Sequence, residues 1–292
     1  MNRAFSASIN PAEPVLTDLA FGESPRWHDR RLWVADWGSQ EILSIDRDGR
    51  KDISVRFHFP SFQPICFDWL HDGRMAIVSS RAGVLLRKES DDMLVTHADL
   101  SAISYGWNEI VVDGRGNAYV NGGGFDVMAG EKFAPGLIVL VTPGGAVRCV
   151  ADGIAFPNGM AVTPDNSTLI VAESYGKRLT AFDIAHDGTL SNRRAWAELG
   201  DGVPDGICID AEGAIWYADV PNKCCVRVRE GGEVLQRIDF DRGCFACMLG
   251  GDDGRTLFVV VREWRGLQNA TDHSRTGQVL KMKAPAPHAG WP

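Results

Sequence analysis

Phe156-Pro157-Asn158-Gly159-Met160 and Val203-Pro204-Asp205-Gly206-Ile207 are two versions of one phrase, and they lie 47 residues apart in the chain. Each phrase opens an apolar, strand-like run that ends in a polar turn. A third version, Phe21-Gly22-Glu23-Ser24-Pro25, lies near the N-terminus. A phrase that returns at this spacing indicates a repeat architecture, in which equivalent side chains can meet at one place.

Six segments share the pattern of an apolar strand, a tight polar turn and a second strand rich in aromatic and β-branched residues. Their turns fall near positions 29, 72, 115, 165, 212 and 253, at successive spacings of 43, 43, 50, 47 and 41. Two more strands follow each hairpin, around turns such as Asp48-Gly49 and Gly231-Gly232. Four antiparallel strands per repeat of about 45 residues are typical of a β-propeller. The sequence therefore predicts an all-β fold, a six-bladed β-propeller of four-stranded antiparallel blades.

The six repeats leave no room for a second domain, so residues 1–292 are predicted to form a single propeller. Residues 1–11 and 284–292 are expected to be loosely ordered tails. The last repeat offers one clear outer strand at 278–282, and an early strand at 15–19 is predicted to complete that blade. Such a closure removes an exposed sheet edge from the ring.

Composition narrows the classes of partner. The net charge of -8 argues against a nucleic-acid-binding surface, which needs basic stripes. No apolar run approaches the length of about 18 residues that a membrane span requires. The N-terminus does not resemble a signal peptide, so a cytoplasmic location is expected. The seven cysteines are expected to be free thiols, mostly buried, because Cys244-x-x-Cys247 has no partner motif at zinc-site spacing.

Oxygen-bearing side chains recur where the first strands of the repeats begin. In an antiparallel blade these points lie around one mouth of the ring, and four of the six carry such groups: Glu23, Asn108, Asn158 and Asp205. Asn or Asp before Gly is also an ordinary turn residue. The turn role does not explain why such residues recur at equivalent positions in several blades. It also does not explain Glu23, because glutamate is not a favoured turn residue. Two carboxylates and an amide oxygen suit Ca²⁺, Mg²⁺ or Mn²⁺, with Zn²⁺ as an alternative.

Two long connections, residues 121–136 and 262–278, are predicted at the same mouth. Long connections in a compact domain are often lids or binding loops. Phe125, Tyr175 and Trp264 are candidates for apolar walls, although such loops can also simply cover the ring. No Gly-x-Ser-x-Gly elbow is present, which disfavours a serine esterase. Among the seven histidines, His273 is the one on a predicted mouth loop.

Several motifs resemble the SMP-30/gluconolactonase/LRE-like family, and their order and spacing match from about Ala12 to Met282. They are Gly22-Glu23-Ser24-Pro25-Arg26-Trp27, Pro157-Asn158-Gly159, Pro204-Asp205-Gly206 and Leu249-Gly250-Gly251. The resemblance implies a six-bladed propeller with a divalent metal in its central funnel and lactone hydrolysis as the usual activity. The family's metal ligands carry over to Glu23, Asn158 and Asp205, and its substrate-contacting Asn to Asn108.

The chain also departs from the family pattern. Members that act on sugar lactones usually carry an Arg two residues before that Asn, and Gly106 stands there in this chain. Glu109 stands where the family commonly has Asp. The loss of the Arg puts an aldonolactone substrate in doubt. The candidate substrate contacts, including an acidic loop residue implied by the family, are Asn108, Asp126, Trp107, Tyr175 and Arg262. Arg81 and Lys177 are further cations expected near the mouth.

The resulting hypothesis is a gluconolactonase-like carboxylic ester hydrolase that uses one divalent cation, Ca²⁺ foremost. The cation would polarise the lactone carbonyl, Asp205 would act as the general base toward water, and Asn108 would orient the substrate. Glu23 and Asn158 would mainly hold the ion. Two alternatives remain: hydrolysis of an organophosphate or another ester at the same site, and a non-catalytic metal-binding propeller that serves as an interaction module.

Overall fold

The computed structural model describes residues 12–104, 106–127, 129–266, 269 and 274–291. Within these residues, twenty-four strands form six four-stranded antiparallel sheets, here called blades 1 to 6. This confirms the predicted all-β, six-bladed propeller.

The strands follow one another from the inside of each blade outward. Blade 1 is β2 (Gly22–His28), β3 (Arg31–Asp36), β4 (Glu41–Ile45) and β5 (Lys51–Arg56). Blade 2 is β6 (Ile65–Trp69), β7 (Met75–Ser79), β8 (Val84–Lys88) and β9 (Leu94–Asp99). Blade 3 is β10 (Trp107–Val112), β11 (Ala118–Gly122), β12 (Gly136–Val141) and β13 (Val147–Ile154). Blade 4 is β14 (Pro157–Val162), β15 (Thr168–Glu173), β16 (Arg178–Ile184) and β17 (Leu190–Glu198). Blade 5 is β18 (Pro204–Ile209), β19 (Ile215–Asp219), β20 (Cys224–Val228) and β21 (Val234–Asp239). Blade 6 is β22 (Gly243–Gly250), β23 (Thr256–Arg262), β24 (Gly277–Lys283) and, outermost, β1 (Glu13–Leu19).

The innermost strands surround the central axis. Contacts run from β2 to β6, β10, β14, β18 and β22, and from β22 back to β2, which closes the ring. Second strands such as β11 and β19 are buried along their whole length because neighbouring blades cover both of their faces. Outer strands such as β5 and β21 are mostly exposed. The apolar runs of the sequence therefore mark the inside of each blade.

The inner hairpins turn on aspartates at the end of the ring away from the repeated phrases. In blade 3, Asp113 Oδ1 accepts hydrogen bonds from the N–H groups of Arg115 and Asn117, both at 2.9 Å. Gly116 completes this turn with φ of +83°, a conformation that side chains other than glycine rarely adopt. The turn predicted near position 115 is thus built from the Asp-x-x-Gly spacing itself.

The N-terminal strand closes the ring as predicted. β1 pairs antiparallel with β24, with Glu13 opposite Lys281 and Leu19 opposite Gly277. The outer edge of blade 6 is therefore covered by the beginning of the chain.

The expectation of a loose C-terminal tail is wrong for residues 284–291; residues 1–11 lie outside the described part. Ala284 and Ala286 are buried, and Trp291 exchanges two backbone hydrogen bonds with Val162, at 2.7 and 3.1 Å. The tail runs across the end of the propeller opposite the repeated phrases. Its proline content favoured disorder, but the free backbone groups of blades 4 and 5 order it.

Two expectations from composition can be compared with the structure. All seven cysteines are free, and six of them are buried, while Cys149 is exposed. Across the described ranges, no helix has the length and apolar character needed to cross a membrane.

Candidate functional site

A cavity of about 300 Å³ opens at the mouth of the ring where the first strands begin. Glu23, Asn108, Asn158 and Asp205 all line this central cavity. Four residues from blades 1, 3, 4 and 5 are therefore brought together, as the repeat positions predict.

Irregular strand pairing turns these side chains toward the cavity. The first strand loses register with the second between Trp107 and Glu109 in blade 3, between Pro157 and Met160 in blade 4, between Pro204 and Ile207 in blade 5 and between Glu23 and Arg26 in blade 1. A β-bulge of this kind re-aims a side chain and is common beside functional sites. In blade 2, β6 pairs with β7 without any shift and contributes no polar residue to the cavity.

The two asparagines are oriented by the backbone around them. Asn108 Nδ2 donates to the Pro157 carbonyl at 3.2 Å. Asn158 Nδ2 donates to Ser174 Oγ at 3.4 Å, and Ser174 in turn donates to the Pro204 carbonyl at 2.7 Å. Because the NH₂ side of each amide faces a protein acceptor, its carbonyl oxygen remains as an acceptor or a metal ligand.

The two carboxylates are held where ionisation is unfavourable. Burial raises the pKa of Glu23 well above its usual range, and the nearby Asp205 and Glu109 raise it further. Burial likewise raises the pKa of Asp205. A hydrogen bond from Asn158 lowers this pKa, but Glu109 raises it further. Two acidic groups in one buried cavity repel each other and both lack the solvation of water. A bound cation would remove this cost.

The nearest buried cation, Arg26, is already engaged by other groups. Its Nη2 donates to Glu109 Oε1 at 2.9 Å and to the Ile110 carbonyl at 2.8 Å, and its Nε lies 4.0 Å from Asp68 Oδ1. Burial raises the pKa of Asp68 to about 6, with the Arg26 charge opposing that shift. Arg26 is thus bonded to the acids beneath the cavity, and its charge only partly offsets the raised pKa of Glu23.

The donor set fits a hard divalent cation with an incomplete protein shell. Glu23, Asn158 and Asp205 offer two carboxylates and one amide oxygen, and Ca²⁺ accepts such ligands together with water. Among the residues that the structure describes, no group of three or more His, Cys, Asp or Glu side chains is arranged to hold a metal ion. The set of Glu23, Asn158 and Asp205 contains only two carboxylates, and its third donor is the amide oxygen of Asn158.

Besides Asn108, three of the predicted substrate contacts lie at or beside the central cavity. Tyr175 lines it, is half exposed, and stacks on Phe156 with ring centroids 4.8 Å apart. Trp107 and Asp126 line a smaller adjoining cavity of about 90 Å³, which shares Asn108 and Phe156 with the central one. The two cavities are therefore parts of one depression.

Arg262 is not placed as predicted. It is 2% exposed and lines neither cavity, and its guanidinium lies 5.0 Å from the centroid of the Phe21 ring. A cation over an aromatic face is stabilised by the ring quadrupole, which keeps this side chain behind Phe21. Arg81 lines the smaller cavity, whereas Lys177 lines neither. His273 lies outside the described residues.

Most of the aromatic wall was not predicted from the sequence. Seven aromatic residues line the central cavity: Phe21, Trp37, Phe62, Phe156, Tyr175, Phe245 and Trp264. A usable signal was present, because Phe21, Phe156 and Val203 each precede a polar cavity residue by two positions. Equivalent positions of successive repeats take equivalent places around the axis, so a ring of polar residues predicts a second ring two positions earlier, just before each first strand.

A family model described as SMP-30/Gluconolactonase/LRE-like region matches residues 21–263. The chain belongs to this family. The pentonolactonase of Haloferax volcanii is 26% identical in an alignment of 256 positions that covers 85% of this chain and 83% of that protein. The regucalcin of Gallus gallus is 27% identical in an alignment of 305 positions, gaps included, that covers 92% of this chain and 95% of that protein. The family resemblance of the sequence motifs is thus confirmed.

Solved structures of this SMP-30/gluconolactonase/LRE-like type have the same fold. A luciferin-regenerating enzyme superposes with a TM-score of 0.81 at 18% identity and covers 96% of this chain and 98% of its own. A gluconolactonase from Xanthomonas campestris superposes with a TM-score of 0.74 at 19% identity, with coverages of 96% and 99%.

Proposed function

We propose that this protein is a lactone hydrolase that depends on a divalent cation, with Ca²⁺ preferred and Mg²⁺, Mn²⁺ and Zn²⁺ as alternatives. The observation that carries the proposal is a pair of carboxylates, the buried Glu23 and the partly buried Asp205, which share a cavity with Asn108 and Asn158. Relatives named as lactonases, including a 6-deoxy-6-sulfogluconolactonase of Pseudomonas putida that is 27% identical over half of this chain, support the reaction class.

Glu23, Asn158 and Asp205 are the residues that would hold the cation. When bound, the cation supplies Lewis acidity, which polarises the lactone carbonyl and stabilises the negative charge that develops on its oxygen. Its charge also favours the ionised form of both carboxyl groups, whose pKa values burial raises in its absence.

The protein side chains supply proton transfer and orientation. Asp205, once ionised, accepts a proton from the water that attacks the carbonyl carbon, and it returns the proton to the ring oxygen as the acyl–oxygen bond breaks. Asn108 uses one amide N–H on the Pro157 carbonyl and has a second N–H to donate to a substrate oxygen. The product is the open-chain hydroxy acid.

The test is a pH-indicator assay of a lactone panel on chelator-treated protein, with each of the four cations added back in turn. We expect turnover to vanish in EDTA and to return with Ca²⁺. Turnover that persists in EDTA would contradict the cation dependence. Failure to open any lactone with any of the four cations would contradict the enzyme assignment and favour a non-catalytic binding module.

A further inference from the structure

The residues two positions before the polar groups of the cavity form an apolar ring above them. Phe21, Phe156 and Val203 occupy this position in blades 1, 4 and 5 and line the central cavity. In blade 3 the same position is Gly106, which has φ of +80° and contributes no side chain. No member of this second ring is therefore able to donate a side-chain hydrogen bond to a ligand.

Phe156 is held in this ring against the preference of its backbone. Its φ is +61°, a region that bulky residues rarely adopt. Its N–H donates to the Ile154 carbonyl at 3.0 Å, and its own carbonyl accepts from Ser174 N–H at 3.1 Å. Such a conformation persists only when the surroundings impose it, and it is common at ligand sites. Here it presents the Phe156 ring to the cavity, with Tyr175 stacked behind it.

A second aromatic group lies on the other side of the axis. Phe21 stacks on Trp37 with centroids 5.2 Å apart and an interplanar angle of 5°, and Phe245 meets it edge-on at 5.0 Å. Phe21 precedes β2 of blade 1 and Phe156 precedes β14 of blade 4. These blades are three apart in a ring of six, so the two aromatic groups face each other across the cavity.

Most of the lining of the central cavity is apolar. Its polar side chains are the four oxygen-bearing residues of the first strands, Ser174, whose hydroxyl already donates to the Pro204 carbonyl, and the aromatic residues Tyr175, Trp37 and Trp264, while Arg81 and Asp126 line the smaller cavity. Each hydroxyl of a bound sugar loses its water and needs a replacement partner, and the phenylalanine, valine and proline side chains that make up the rest of the wall offer none. The same wall gains free energy when it covers apolar surface.

We propose that the substrates are lactones with an aryl or other apolar substituent, rather than polyhydroxylated sugar lactones. This inference rests on the proposed lactone hydrolysis. The ester group would lie at the level of Asn108 and Asp205, and the apolar substituent would lie between Phe21 and Phe156.

The test compares three six-membered lactones that share an alkoxide leaving group: δ-valerolactone, its derivative with a phenyl group on the carbon bearing the ring oxygen, and glucono-δ-lactone. Each kcat/KM is divided by the rate constant for hydrolysis of that lactone by hydroxide, which removes differences in intrinsic reactivity. We expect the phenyl derivative to exceed δ-valerolactone by about tenfold or more, the scale on which apolar pockets discriminate. Glucono-δ-lactone is expected to fall below both.

Variants locate the preference in the aromatic wall. Phe156→Ala is expected to reduce the phenyl-to-parent ratio to within about threefold, because it removes one face of the pocket. Tyr175→Ala, at a half-exposed position that tolerates truncation, repeats the test if Phe156→Ala does not fold. Met93→Ala removes an exposed apolar side chain that lines neither cavity, and it serves as the control that keeps the ratio.

The outcomes separate the two claims. If glucono-δ-lactone matches or exceeds the phenyl derivative, the inference is wrong and lactone hydrolysis stands. The inference is also wrong if both aromatic variants keep the wild-type ratio. If none of the three lactones is opened with any of the four cations, the proposed function fails and the inference fails with it.

Discussion

Asp205 and Asp219 belong to the same blade and lie at the same end of the ring, but they have opposite surroundings. Asp219, at the end of β19, accepts hydrogen bonds from Val203 N–H at 2.8 Å and Asn222 N–H at 3.0 Å. Asp205, at the start of β18, faces the cavity, and burial raises its pKa. Asp219 therefore stabilises a turn through its hydrogen bonds, whereas the negative charge of Asp205 would be stabilised by a bound cation.

Blade 4 repeats the contrast between a structural acid and a cavity residue. Burial alone would raise the pKa of Glu173, but hydrogen bonds from Thr180 and Ala155 and the bond to Arg178 lower it overall. Asn158, at the equivalent of Asp205, faces the cavity instead. Residue type alone therefore does not identify the functional acids of this propeller. The functional acids are identified instead by their surroundings: they line the cavity and accept too few hydrogen bonds from the protein to stabilise their negative charge.

The largest expected effect comes from substituting the two aspartates of blade 5. Asp205→Asn is expected to reduce kcat by about 10²–10⁴-fold, because it removes the general base. Asp219→Asn is expected to lower the free energy of unfolding by about 1–3 kcal/mol, because it removes one of the two oxygens that accept the part-buried hydrogen bonds from Val203 and Asn222. Turnover per folded Asp219→Asn molecule is expected to stay near wild type. Lactone turnover and urea unfolding on both variants measure these effects.

The assigned roles of Asp205 and Asp219 would be contradicted if the two variants showed the same turnover and the same stability. An Asp205→Asn protein with near-wild-type turnover and bound cation would exclude Asp205 as the base. An Asp219→Asn protein that is fully folded but inactive would show that Asp219 also belongs to the catalytic apparatus.

The pH dependence of stability is expected to change when the cation is removed. A carboxyl group with a pKa raised by folding keeps its proton longer in the folded state than in the unfolded state, where the pKa is about 4. Between these two values the folded protein binds more protons, so stability falls as pH rises. In EDTA, Glu23 and Asp205 should therefore contribute a loss of stability as pH rises above about 4, whereas carboxylates with a lowered pKa, such as Glu173, contribute in the opposite direction. Saturation with Ca²⁺ at about 100 times its Kd should restore about 2.7 kcal/mol.

Glu23→Gln removes one of the two cavity carboxylates. It tests whether their raised pKa values cause the pH-dependent loss of stability in EDTA. Thermal unfolding at pH 5 and pH 8 should show a smaller loss of stability in EDTA for this variant, together with a smaller gain from Ca²⁺. Glu233→Gln changes an exposed glutamate and should behave as wild type. An unchanged pH profile in Glu23→Gln would mean that burial of Glu23 is not the source of the effect.

The smallest expected effect concerns the orientation of Asn158. Ser174→Ala removes the hydroxyl that links the Asn158 amide to the Pro204 carbonyl, so the amide loses one of its hydrogen-bond partners and keeps Asp205. Partners of metal ligands typically contribute about 10–100-fold to affinity, and we expect a loss near tenfold in Ca²⁺ affinity by calorimetry. Ser101→Ala, which removes an exposed hydroxyl bonded to Asp99, is the matched control. Equal affinities in the two variants would show that Ser174 does not position Asn158.

The fold was predictable because its signals are local. The turn spacing and the alternating strands between the turns define four strands per repeat, and the early strand at 15–19 had one incomplete blade to join. The polar ring was predictable for the same reason, since equivalent positions in successive repeats have equivalent places around the axis.

Features that depend on distant partners were not predictable in this way. Arg262 was expected at the mouth, but its guanidinium lies over the ring of Phe21, far away in sequence, and donates a hydrogen bond to Ser274. The tail at 284–291 was expected to be loose, but Val162 of blade 4 provides the backbone partners of Trp291. The bulges that aim Asn108 and Asp205 arise from pairing between strands, and no residue pattern within one strand shows them.

The central claim is that the carboxylates without sufficient donors form a cation site. The most direct test is the anomalous diffraction of crystals soaked in Mn²⁺, which locates the cation independently of activity. We predict one strong peak in the central cavity within about 2–2.6 Å of oxygens of Glu23, Asn158 and Asp205, the usual range for hard cations. A cavity without a peak, at a soak concentration that saturates any solution binding, would contradict the account.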